Sequence, residues 1–226
     1  ESINVSHGTN ENAELNIQGD EGGTLSVTST EDAILSTGNI NIDGAGTVNA
    51  TSTGFDAIDA KGDLTIKGSG NVNATGDSDG IRAGGNITID NSGTVTAKAF
   101  EEKGIQAIEN LTVKGGGKVE ASSIGKAAIW ADGGIAISGG SQVKASSQED
   151  LAVNAEGSLT VTNASLNASG VEYGAYGRKG ITLDHANVTV RAGKGRYGGA
   201  IALFTYQDDI VVKNGSTVDA FAEGEV

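Results

Sequence analysis

The sequence predicts an all-β chain folded as a single right-handed parallel β-helix, a solenoid of about nine turns of ~24 residues with three short strands per turn. Three observations predict it. A triplet of the Leu/Ile-Thr-Ile kind begins at Leu15, Ile40, Leu64, Ile87, Leu111, Ile135, Leu159, Ile181 and Ile210, roughly once in 24 residues along nearly the whole chain. Within a triplet the apolar residues sit two apart, the period of a strand with one buried face, as in Leu64-Thr65-Ile66 and Ile87-Thr88-Ile89. Glycine supplies 36 of the 226 residues and falls between the triplets, where turns need it.

Each element of the unit can be justified in order. The first strand is the triplet itself. The second is a Val-x-Ala segment a few residues later: Val72-Asn73-Ala74, Val95-Thr96-Ala97, Val143-Lys144-Ala145. The third precedes the next triplet: Ile58-Asp59-Ala60, Ile81-Arg82-Ala83, Ile105-Gln106-Ala107, Ile129-Trp130-Ala131, Val153-Asn154-Ala155. A meandering sandwich has no reason to repeat in threes at a fixed interval, whereas a coil stacks like triplet on like triplet and buries each Leu, Ile or Val inward. Right-handedness follows the general chirality of parallel crossovers. Residues 1–226 read as one domain. Because the chain starts at Glu1 and neither end reads as a cap, it is expected to be excised from a larger surface protein with flanking domains. The corner between first and second strands is short and nearly constant. That between second and third varies (TSTGFD, TGDSDG, KAFEEKG), which is where binding residues are normally carried.

Composition narrows the partners. A net charge of −14 disfavours nucleic acid and anionic membrane surfaces. No apolar run approaches the ~18 residues of a membrane span, so membrane insertion is not expected. The chain has no cysteine, which excludes disulfides and thiolate metal sites, and its two histidines, His7 and His185, are too few for a zinc cluster.

The stacking rule also lines up outward side chains. Counting back five residues from each first-strand Leu or Ile gives Leu35, Asp59, Arg82, Gln106, Trp130, Asn154 and Tyr176. Arg82, Gln106, Trp130, Asn154 and Tyr176 form a stripe of cation, amides and aromatic rings that suits a sugar chain: rings cover C–H faces, while Arg, Asn and Gln pair with hydroxyls or a carboxylate. Counting back eight gives Asp32, Asp56 and Asp79, then Lys103. Three carboxylates one turn apart repel each other and need neutralising, by Lys103 or by Ca²⁺, a hard ion that takes oxygen ligands, with help from Asp59 or Asp77. A basic and aromatic cluster, Tyr173, Tyr176, Arg178, Lys179, Arg191, Lys194, Arg196 and Tyr197, could bind an acidic glycan or seat a neighbouring domain. Catalysis is not expected: Gln207-Asp208-Asp209 and Ser6-His7-Gly8 look like hydrolase motifs but fall at opposite ends of the rod, too far apart to share one bond.

Written out, KGDLTIKGSGNVNATGDSDGIRAGGNITI and its neighbours resemble the bacterial carbohydrate-binding right-handed β-helix family of secreted, non-catalytic proteins. The resemblance covers Leu15 to about Val190 and rests on the Gly-x-Leu/Ile-Thr-Ile repeat and the Asp-Gly-Ile and Asp-Ala-Ile corners. It implies extracellular polysaccharide binding assisted by Ca²⁺ at Asp56, Asp59, Asp77 and Asp79. Two other functions remain open from the residues: a structural stalk of an adhesin, and a pectin-type lyase or hydrolase.

Overall fold

The computed structural model describes residues 3–5, 13–195 and 199–223, with the backbone alone described for 3–5. His7, with Ser6 and Gly8, and Arg196 and Tyr197 lie outside the described residues. Among the described residues every regular element is a strand, and the strands form three parallel sheets of nine each. Successive strands go to successive sheets, so the chain winds as a right-handed coil with three strands per turn. Eight complete triplets of strands run from Glu14 to Phe204; Ile3–Val5 precedes them, and Ile210–Lys213 and Thr217–Ala222 follow.

The register is the one the repeat dictates. In the first sheet Leu64, Ile87 and Leu111 are mutual partners one turn apart, as are Thr65, Thr88 and Thr112 on the outside. In the second sheet Val72, Val95 and Val119 stack, and in the third Ile58, Ile81, Ile105 and Ile129. These inward columns form one continuous core, with Ile58, Leu64, Ile81, Ile87 and Ile105 wholly buried. Burying each such side chain is worth about 1.5–3 kcal/mol, and the sum along the axis holds the coil together. Only neighbouring turns touch, so the core is a column rather than a centre.

The corners differ as the sequence predicts. Between first and second strands the chain turns tightly, using left-handed backbone at Gly44 (φ 116) and Gly68 (φ 106). An added Cβ at Gly44 would come within 2.1 Å of the Gly19 carbonyl oxygen on the preceding turn, so close approach of consecutive turns as well as φ demands glycine there. Later turns make the same corner with Asn163, His185 and Asn214 at φ 47, 49 and 53. At the C-terminal end the stack stops, and Ile210, Val211, Val212 and Phe221 are exposed.

Candidate functional site

The outward row of the third sheet is assembled as counting back five residues requires. Leu35, Asp59, Arg82, Gln106, Trp130, Asn154 and Tyr176 are successive partners across adjacent strands, each one strand spacing, ~4.8 Å, from the next. Pointing outward does not make them all accessible. Asp59 and Asn154 are each only 1% exposed. Lys61 and Arg82 both bond the Asp59 carboxylate, Arg82 through Nη1 at 3.2 Å. Asn154 lies between Trp130 and Tyr176, and its Nδ2 donates to Glu156 Oε1 at 3.2 Å. Short side chains in this row are roofed by the long ones beside them.

Arg82 is likewise committed: besides Asp59, its Nε stands 3.9 Å from Asp79 Oδ2. The indole of Trp130 donates from Nε1 to Asp132 Oδ1 at 2.6 Å, and Lys103 Nζ lies 6.0 Å from its ring centroid. At the far end Tyr176 stacks on Phe204, with centroids 5.5 Å apart and planes at 20°, and Tyr173 stacks on the same ring at 5.5 Å and 21°. Phe204 continues the row beyond Tyr176, although counting back five from Ile210 points to Thr205. From row residue to first strand the stretch before Ile210 is one residue longer than earlier ones, six rather than five, which shifts the count. The basic and aromatic cluster is divided by the fold. Tyr173, Tyr176 and Arg178 stay with the third sheet, where Arg178 pairs with Glu156 at 3.2 Å. Arg191 sits on the second sheet and makes two hydrogen bonds to Asp219, at 3.1 and 2.5 Å.

The carboxylate corner is a hydrogen-bond ladder. Asp32 Oδ1 accepts the backbone N–H of Asp56 at 3.0 Å, Asp56 Oδ1 that of Asp79 at 2.9 Å, and Asp79 Oδ1 that of Lys103 at 2.7 Å. The Lys103 ammonium bonds Glu102 Oε2 at 2.6 Å rather than Asp79, which Lys103 serves through its main-chain N–H and through its charge, both of which lower the Asp79 pKa. Burial raises the pKa of Asp32, Asp56 and Asp79, against the lowering effect of the N–H each accepts; for Asp79, 3% exposed, the value reaches about 7. Of the five aspartates expected around a metal, Asp32, Asp56 and Asp59 bring carboxylate oxygens within 4.8 Å of one another. Asp77 and Asp79 are not in that group. The donor set suits a hard cation such as Ca²⁺, but Lys61 and Arg82 already neutralise Asp59, and one oxygen each of Asp32 and Asp56 is taken by a main-chain donor.

A second ladder, which the reading of the sequence missed, lines the corner between third and first strands. Asn39 Oδ1 accepts the N–H of Asp63 at 2.9 Å, Asp63 that of Asn86 at 2.7 Å, Asn86 that of Asn110 at 3.2 Å, and Asn110 that of Gly134 at 2.8 Å. Its signal was present: each residue stands immediately before a first-strand Leu or Ile.

Gln207, Asp208 and Asp209 occupy the last third-to-first corner, beside Lys179 and Thr182, and both aspartates are exposed. Among the described residues, no helix is long and apolar enough to cross a membrane. Three parallel sheets wound from one coil with stacked repeat positions define the chain as a parallel β-solenoid. Compared with known proteins, it matches no family model, no curated protein and no solved structure.

Proposed function

We propose that the chain is an extracellular polysaccharide-binding module of a secreted or cell-surface protein, and that the sugar chain lies along the outward row of the third sheet. One observation carries this reading: Trp130, Tyr176 and Phe204 fall on a single row in register. Trp130 and Tyr176 are two strand steps, ~10 Å, apart, with the flat, buried Asn154 between them. Rings so spaced along a rigid rod offer two faces to alternate units of an extended glycan, and a stacked ring loses little entropy on binding. Gln106 and Lys103 supply donors beside the indole. Arg82 contributes less than its place in the row suggests, since Asp59 and Asp79 hold it.

A glycan array is the test. Binding should fall at least about tenfold in Trp130→Ala and in Tyr176→Ala, a loss of about 1.4 kcal/mol or more for a central aromatic contact. A Trp130→Ala chain that retains all binding sinks the reading. The burial of Asn154 and the pairing of Arg82 favour the other reading, a stalk that holds a further domain away from a surface. A stalk predicts an array blank for the unmodified chain. Calcium at Asp32, Asp56 and Asp59 belongs to the proposal as a stabilising ion that competes with Lys61. A rise in melting temperature on adding Ca²⁺, absent from Asp56→Asn, is its check.

A further inference from the structure

The cations along the outward row are already engaged. Arg82 is held by Asp59 and Asp79, Lys61 by Asp59, Lys103 by Glu102 and Arg178 by Glu156. A sugar carboxylate lying on the row would have to compete with a protein carboxylate for each of them. One carboxylate beside the row is in the opposite position, with no cation on it among the described residues. Asp132 is exposed, and its Oδ1 accepts the Trp130 indole N–H at 2.6 Å.

Register explains why Asp132 is left so. The column two residues past the row, Ile108, Asp132, Glu156 and Arg178, is kept in line by bonds from each N–H to the preceding turn, at Ala83, Ala107, Ala131 and Ala155. The neighbours of Asp132 in that column are therefore an isoleucine and a second acid, and Glu156 already holds Arg178 and Asn154. Arg178 stands two strand steps away, ~10 Å. The exposed Lys126 belongs to the opposite corner of the same turn, between second and third strands. The half-buried indole adds a second feature that favours a cation: Lys103 Nζ lies over its ring, 6.0 Å from the centroid, where the π face attracts an ammonium. A solvent-facing carboxylate and an aromatic face, joined by one hydrogen bond, together form a receptor for positive charge.

We propose that the sugar unit bound at Trp130 bears a free amine, as in glucosamine, and that its ammonium pairs with Asp132 while the sugar lies against the indole. The proposal rests on the reading of the row as a glycan site and names the class of sugar that the site selects, with Asp132 as the residue that selects it. An N-acetylated sugar has no charge to offer Asp132. A uronate sets like charge against it.

Trp130 is the single tryptophan of the chain, so its fluorescence reports on this site alone. The chain is titrated with tetramers of glucosamine, N-acetylglucosamine, glucose and galacturonate, and with tetralysine, at mildly acid pH where the sugar amine is protonated. The glucosamine tetramer should bind about five- to tenfold tighter than the N-acetylated and glucose tetramers, the worth of an exposed ion pair and a cation–π contact together. Asp132→Asn, which keeps an acceptor for the indole N–H, should erase that preference without weakening the glucose tetramer. Asp20→Asn, the same change of net charge at an exposed corner between first and second strands, should leave it intact. Equal binding of the sugar tetramers, or tightest binding by galacturonate, overturns this proposal and leaves the row a glycan site, whereas silence from every sugar overturns both. Tetralysine binding as tightly as the glucosamine tetramer, or an unchanged preference in Asp132→Asn, also overturns it.

Discussion

Two corners of this solenoid solve one problem with different chemistry. At both, a side-chain oxygen accepts a backbone N–H from the following turn: Asp32, Asp56 and Asp79 between second and third strands, Asn39, Asp63, Asn86 and Asn110 between third and first. The geometry is nearly the same, but the environments are not. The aspartate ladder passes into the protein, and Asp56 and Asp79 are buried; the amide ladder keeps three of its four members exposed. A neutral amide would make the same hydrogen bond as a buried aspartate without the desolvation cost of a charge. The carboxylates at the buried corner therefore offer an ionisation that their hydrogen bonds do not require, with Arg82 near Asp79, and their pKa values are raised by burial, which couples that corner to pH.

The largest test of this contrast is pH. Asp79 has a folded pKa of about 7 against an ordinary 3.8, so between those values the folded chain holds a proton that the unfolded chain has lost. Its stabilising contribution is full below about pH 4, falls as pH rises and is gone above about pH 7. At about 1.4 kcal/mol for each unit of pKa, the change is on the order of 4 kcal/mol. Denaturant melts across pH 4 to 8 should show this decline in the unmodified chain relative to Asp79→Asn, which keeps an oxygen for the Lys103 N–H but has no proton to lose. Parallel curves for the two chains would break the comparison. Next in size is removal of a rung. Asp56→Ala strands the N–H of Asp79 in a buried position and should cost about 1–3 kcal/mol. Smallest is the matching change at the exposed corner: in Asn110→Ala water can replace the acceptor for the Gly134 N–H, and the loss should stay near 1 kcal/mol or below. Equal costs for the two substitutions would show that burial is not what separates the corners.

The sequence revealed most about the column and least about the cover. Period and alternation set the sheets and the register, because a coil with one repeat per turn leaves Ile81 nowhere to go but over Ile58. The same logic put Trp130 beside Gln106 and Asn154. It could not show that Asn154 and Asp59 are roofed, since the exposure of a short side chain depends on how the long neighbours Glu156, Lys61 and Arg82 fold across it. Nor could it find Phe204, where one extra residue breaks the count.

Both ladders also have a direction. Every rung is an oxygen on one turn receiving a donor from the turn made after it, from Asp32 to Lys103 and from Asn39 to Gly134. As the chain leaves a ribosome, each finished turn already displays the acceptors that its successor will use, so assembly can advance in step with synthesis and need not await a distant partner. Within the two ladders, loss of later turns would leave spare lone pairs facing water. Loss of earlier ones would strand N–H groups.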